Sequence, residues 1–289
     1  MSQTLITSRD PKGLQIANLF DVTLNKAYLD HERAQRLIEN GGEFQEGLAQ
    51  LIERCSAISK FAEEEVESSY GYLSGYRSPK PIDQQVKLLN TFFSNLGNVN
   101  KKLTRTCLPD GSEGLFAIPR WQRVAQTYES ALLRAFECLR ETRRGKFTNC
   151  QEGILSSNFL RLTAKTAKAF EEVAAQQLGT EHHILILPCQ LGLRHRGRSV
   201  RRAREVMSAS EFGLDPFSTA CILLTHPDRL QHFDDLWIDC AGAEYSYQRG
   251  GSFDLTVSFD FDGSKVEFEA SSSRYPSDAY GSASGFVQQ

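Results

Sequence analysis

Residues Phe253–Ala270 read FDLTVSFDFDGSKVEFEA, and this stretch decides the class of the fold. Phe253, Leu255, Val257, Phe259 and Phe261 alternate with polar residues, the period of a half-buried strand. Asp262-Gly263 is a type I′ turn signal, and Val266, Phe268 and Ala270 resume the alternation behind it. A two-residue loop there pairs Phe259 with Val266, Val257 with Phe268 and Leu255 with Ala270 on one face. On the other face it sets Asp260 against Lys265, an opposite-charge pair. Asp260 and Asp262 then read as a strand pair and a turn residue, not as a carboxylate dyad.

Working outward, further short elements surround this hairpin. The run HILILP (183–188) is apolar, short and bounded by proline, which suits a buried strand. LWIDC (236–240) sets Leu236, Ile238 and Cys240 on one side and Trp237 and Asp239 on the other. FSTACILLT follows the helix-start pair Asp215-Pro216 and is apolar almost all round, so it reads as a buried helix. The Ser- and Gly-rich segment after Ala270 reads as a draped tail with little core potential.

Before Gly179 the period is helical. Apolar residues recur at spacings of three and four from Leu24 to Ile38, from Phe44 to Ile58, from Ile82 to Leu103, from Trp121 to Leu139 and from Phe159 to Gln177. Gly41-Gly42 reads as the stop of the first run, and His31 as a packed histidine on its apolar stripe. Between the second and third runs, Glu63-Glu64-Glu65 and SSYGYLSGYRSPKP form a loop whose tyrosines pin it to the body. The expected architecture is α+β. A helical bundle spans residues 1–179, and a smaller mixed portion with a short sheet and the hairpin 253–270 spans residues 180–289. No flexible linker separates them, so they can share one core.

The chain has 289 residues with 33 Lys and Arg against 36 Asp and Glu, a net charge of −3. That balance excludes a wholesale nucleic-acid binder, so any such role needs a local patch. The seven cysteines are scattered and contain no CxxC pair, the usage of reduced thiols in a cytoplasmic protein. No stretch approaches the ~20 apolar residues of a membrane span.

The local patch is LGLRHRGRSVRRAREV (191–206). It carries Arg194, Arg196, Arg198, Arg201, Arg202 and Arg204 with His195 among them, and no acid before Glu205. Gly192 and Gly197 lead into a helix that Ser199 can cap. Guanidinium forks at a helix start suit phosphate oxygens. Pairing with acids of the chain is the structural alternative, although an exposed helical pair is worth only about 0.3–0.5 kcal/mol. Among groups for acid–base chemistry, His195, His226 and Asp239 stand nearest in sequence to this patch. Without HxH, HExxH or CxxC spacing they point to no metal site, and no cofactor is expected.

The blocks SPKPI (78–82), FAIPRW (116–121), LGLRHRGRSVRRAREV (191–206), LLTHPDRL and LWIDCAG together resemble a family of uncharacterised bacterial proteins. The resemblance covers most of the chain beyond the first helices and brings no activity or functional residue with it. The residues therefore carry the functional expectations. The first is a non-enzymatic cytoplasmic binding protein whose arginines contact nucleic-acid phosphate or another polyanion. The second is an enzyme acting on a phosphorylated or carboxylated substrate, with the arginines as clamp and His195, His226 or Asp239 as acid or base. The third is an assembly protein whose arginines meet an acidic protein surface such as Glu63–Glu67 of a neighbouring copy.

Overall fold

A computed structural model of the chain describes residues 7–287 other than 8, 57–58, 100–102, 104–107 and 178–182. Among the described residues it holds eight α-helices and eleven strands, an α+β fold with two sheets. Two compact units divide between Ser59 and Lys60.

The first unit holds α1 (Pro11–Lys26), α2 (His31–Glu39) and α3 (Gly41–Ser56). The run expected from Leu24 to Ile38 is broken in two. Tyr28 takes a positive φ of 46°, and the Asp30 carboxylate caps α2 by accepting the Arg33 N–H at 2.8 Å. Gly41-Gly42 opens α3 instead of ending the helix before it. His31 begins α2 and is exposed, not packed. Ile58 lies outside the described residues. Leu14, Ile16 and Leu19 of α1 are more than half exposed, as expected where a unit of about 60 residues has too little interior for every apolar side chain.

The second unit, Lys60–Gln289, is built on the two sheets. The small sheet runs β1 (Gly114–Pro119), β4 (Ile184–Gln190), β11 (Ser284–Phe286), β5 (Glu211–Gly213), antiparallel throughout. All seven residues of β4 are buried, as the apolar run requires, and Pro188 sits within the strand opposite Leu115. In the large sheet β10 (Tyr280–Ser282), β6 (Trp237–Asp239), β8 (Leu255–Asp262), β9 (Lys265–Ser272) and β2 (Phe147–Asn149) pair in that order. β7 (Ala243–Tyr245) and β3 (Leu160–Leu162) branch from the start of β8.

The helices α4 (Ile82–Phe92), α5 (Tyr128–Thr142), α6 (Ala164–Gln177), α7 (Val200–Val206) and α8 (Pro216–Thr225) lie around these sheets. All ten residues of α8 are buried, and Asp215 caps it. One apolar core runs from Tyr76 to Ala283 in sequence, and β1 pairs with β4 across Gly179. The change of composition there is not a division of the structure.

Several helical runs conceal strands and turns. α4 stops at Phe92, because Asn95 and Gly97 take positive φ and turn the chain while Phe93, Leu96 and Val99 stay buried. The run from Trp121 becomes a 3-10 turn, Trp121–Arg123, and then α5, which Thr127 caps at 3.1 Å from the Ser130 N–H. The run from Phe159 holds β3 before α6, whose cap is Thr163. Within the second unit, the part of the expected bundle up to residue 179 is instead helices packed with β1, β2 and β3.

The hairpin differs in register from the expectation. Its loop is Gly263-Ser264, with φ of 52° and 70°, so Asp262 pairs with Lys265, Phe261 with Val266 and Phe259 with Phe268. The apolar face is unchanged because the shift is two residues. Asp260 faces Glu267 and not Lys265. The expected loose tail instead supplies β10 and β11. Small residues let it pass: Gly281 lies so close to Gly192 that a Cβ on Gly281 would come within 2.4 Å of the Gly192 carbonyl oxygen.

Candidate site on the polar face of the large sheet

The arginines that dominate the sequence are occupied by their own chain. Arg201 grips Glu64, which also accepts from Ser199 Oγ at 2.6 Å, and the guanidinium lies 4.3 Å from the Phe61 ring centre. The Arg201 hydrogen bond holds the Glu64 carboxyl below its usual pKa range. Arg202 bridges Glu65 and Glu205, and Arg198 reaches Glu65 at 3.3 Å. Arg204 donates to the carbonyls of Ala241 and Ala243 at 2.8 and 2.6 Å. Arg196 donates to the Tyr70 carbonyl at 2.8 Å and remains exposed. Arg194 reaches Glu211 at 3.3 Å.

Glu211 is also the partner of His195. His195 Nδ1 lies 3.1 Å from the Arg198 guanidinium, and Nε2 lies 2.8 Å from a Glu211 carboxylate oxygen. Burial pushes the Glu211 carboxyl up, but His195, by hydrogen bond and charge, the Ser284 hydrogen bond and the charge of Arg194 outweigh it and hold it at about 2. His195, Glu211 and Ser284 are almost fully buried. Their network ties the arginine segment to β5 and β11. His226 stands apart, edge-on to Tyr76 and Phe116, and burial lowers it to about 4. The structure therefore does not join the arginines to His226 in one pocket.

Asp239 lies elsewhere, on the second face of the large sheet. β8 sends Val257 and Phe259 into the core and Thr256, Ser258 and Asp260 to the opposite face. Ser258 is opposite Asp239, Ser282 is beside Asp239 on β10, and Glu267 is opposite Asp260. Alternation along β9 adds Glu269 to this face. Burial pushes the Asp239 carboxyl up to about 7, with Arg204 opposing it. Burial also raises Asp260 to about 7, reinforced by Glu269 and Glu267.

Among the described residues, three buried oxygens of this face, on Thr256, Asp260 (Oδ1) and Ser282, have no hydrogen-bond partner, while the Ser258 hydroxyl lies against that of Tyr280. The other Asp260 oxygen accepts from Tyr280 at 3.4 Å. At the outer edge, Cys150 Sγ and carboxylate oxygens of Glu267 and Glu269 lie within 4.8 Å of one another. That thiol–carboxylate set could hold a metal ion. Lys265 pairs with Glu267 at 2.6 Å there.

No protein-family model, curated protein or solved structure matches this chain. The reading of its site therefore rests on geometry. Of the candidate functional residues named from the sequence, Asp239 belongs to this face, with Arg204 as its charged neighbour. Reading Asp260 as the partner of Lys265 sets it aside as a strand residue, and Glu267 and Glu269 with it. The available signal was four acids at alternate positions, 260, 262, 267 and 269, with Lys265 the lone cation among them.

Proposed function

We propose that this chain is a binding protein for a small metal cation, held on the acid-lined face of the large sheet. The observation that carries the reading is the unpartnered oxygens on Asp260 and Ser282, with Ser258 and Asp239 beside them on the same buried face. An unmet buried polar group costs about 1–3 kcal/mol, so these positions favour a polar partner, although Thr256, about 13 Å along β8 from Asp260, is too far to share one small ion with it. Each of these four residues is at most 5% exposed, which favours an ion over a bulky ligand. Carboxylate and hydroxyl oxygens suit Ca2+ or Mn2+, whereas Cys150, three strands from Asp239, forms a separate edge set with Glu267 and Glu269 whose thiol would suit Zn2+. A melting series of the reduced protein in Ca2+, Mn2+ or Zn2+ tests the reading. The melting temperature rises with one of these ions in wild type and not in Asp260→Asn. An equal response in both would refute it.

The polyanion reading retains one favourable observation. Arg196 is exposed, and its side chain bonds to a backbone carbonyl instead of a carboxylate. Binding of a labelled oligonucleotide against salt tests it, with a log–log slope of about −0.9 per phosphate contact on duplex. A slope unchanged by Arg196→Ala/Arg198→Ala/Arg201→Ala would remove it.

A further inference from the structure

A cavity of about 220 Å3 lies between the 3-10 turn Trp121–Arg123, α6, β4 and the start of α8, away from the acid-lined face. Trp121, Leu162, Phe170, Leu185 and Phe217 supply its apolar walls. The walls are braced from behind: Trp121 stacks edge-on with Tyr128 at 5.9 Å, and Phe170 with Phe212 at 5.3 Å. A preformed apolar cavity with few polar groups is the ordinary form of a small-molecule site. A cavity of about 150 Å3 admits benzene, so this one has room for a branched aliphatic or benzyl group.

Three charged residues line it. Asp215 is satisfied, with its carboxylate accepting from the Tyr128 hydroxyl at 2.6 Å and from the N–H groups of Phe217 and Ser218 at 3.0 and 3.2 Å. Arg120 and Glu171 are not. Neither side chain has a hydrogen-bond or ion-pair partner among the described residues, and they do not pair with each other; Glu171 is exposed to solvent at the cavity's edge. Arg120 is half-buried, unlike a freely solvated surface arginine, and its backbone N–H is fixed to the His183 carbonyl at 2.9 Å. The cavity therefore offers an apolar interior with an unpaired guanidinium and an unpaired carboxylate in its lining.

We infer that this cavity binds a free α-amino acid with an apolar side chain. Its carboxylate meets Arg120, its ammonium meets Glu171, and its side chain enters between Trp121, Phe170 and Leu185. Arginine suits the carboxylate because its fork can donate two parallel hydrogen bonds. Both charges of the zwitterion are matched, so binding leaves neither lining residue with an opposed charge.

The test reads Trp121 fluorescence in full-length protein carrying Trp237→Phe, titrated with L-phenylalanine, phenylacetate and phenethylamine. L-Phenylalanine gives a saturable change with a dissociation constant in about the millimolar range or tighter. Phenylacetate and phenethylamine, each lacking one charge, bind at least about tenfold more weakly. Arg120→Gln weakens L-phenylalanine and spares phenethylamine, whereas Glu171→Gln weakens L-phenylalanine and spares phenylacetate. Ala174→Phe, which fills the cavity, abolishes every response while circular dichroism shows the fold retained. If Ala174→Phe unfolds the protein, the two charge variants decide. The inference is overturned by the absence of a saturable change in wild type. It is equally overturned by phenylacetate binding as tightly as L-phenylalanine, or by indifference to Arg120→Gln.

Discussion

Glu64 takes the Arg201 Nε–H on both carboxylate oxygens, at 2.9 and 2.6 Å. The arginine that the sequence offers to an outside anion thus already holds an anion of its own chain. Residues 60–66 are fastened along α7 by further bonds: Glu205 accepts from the Lys60 N–H, and the Val66 N–H donates to the Gly197 carbonyl at 2.7 Å. In a double-mutant cycle, Glu64→Gln and Arg201→Ala should couple by about 1 kcal/mol, because the pair is only partly shielded. Urea denaturation measures this, and additive single effects would show that the pair is incidental.

His226 should make the fold acid-sensitive. Its Nε2 accepts the Lys80 N–H at 2.9 Å, a role that only the unprotonated nitrogen can play. The unfolded chain takes up a proton below about pH 6.5, while the folded chain, with His226 at about 4, does not. Its contribution is therefore complete above pH 6.5 and is lost as pH falls towards 4, by up to about 3 kcal/mol. His226→Phe should lower stability at pH 7 and flatten this dependence. An unchanged slope between pH 6.5 and 4 would contradict the assignment.

Asp239 should act in the opposite direction over nearly the same range. Burial raises its folded-state pKa to about 7, while the unfolded value is near 3.8. The folded state keeps a proton that the unfolded state gives up, so stability declines as pH rises from about 4 to 7. Asp239→Asn removes the penalty and should stabilise the metal-free protein above pH 7 by up to about 4 kcal/mol, with little effect below pH 4. Melting curves with chelator across this range check the sign.

The C-terminal strands should matter for stability. A Cβ on Gly281 would lie 2.4 Å from the Gly192 carbonyl oxygen, and that backbone is held by the segment leading to His195. Gly281→Ala should destabilise the protein by about 1–3 kcal/mol, measurable by urea denaturation. A neutral effect would mean that β10 is loosely seated.

The elements legible in the sequence are those whose local signal and tertiary role agree. β4, α8 and α7 with its Ser199 cap fall where apolar runs and capping residues put them. β3 was hidden because three residues of strand cannot establish a period of two beside a helical pattern. β10 and β11 were hidden because their value lies in smallness: Gly281 and Gly285 fit against neighbouring strands, which hydropathy does not register. The arginine segment was visible, but its partners were not. Glu64 lies 137 residues from Arg201, and nothing local announces that pairing. The acid-lined face was obscured by the hairpin register, since moving Lys265 from Asp260 to Asp262 leaves Asp260 against Glu267.

The most direct test of the cation-binding account is isothermal titration of reduced, chelator-treated protein with Zn2+, Mn2+ and Ca2+ at pH 7.5 (about neutral, where the raised carboxyls near 7 can give up their protons). The account predicts near-stoichiometric binding of one of these ions with proton release, lost in Asp239→Asn/Asp260→Asn while the fold is retained. No heat from any of the three ions, or binding that survives the double substitution, would contradict it.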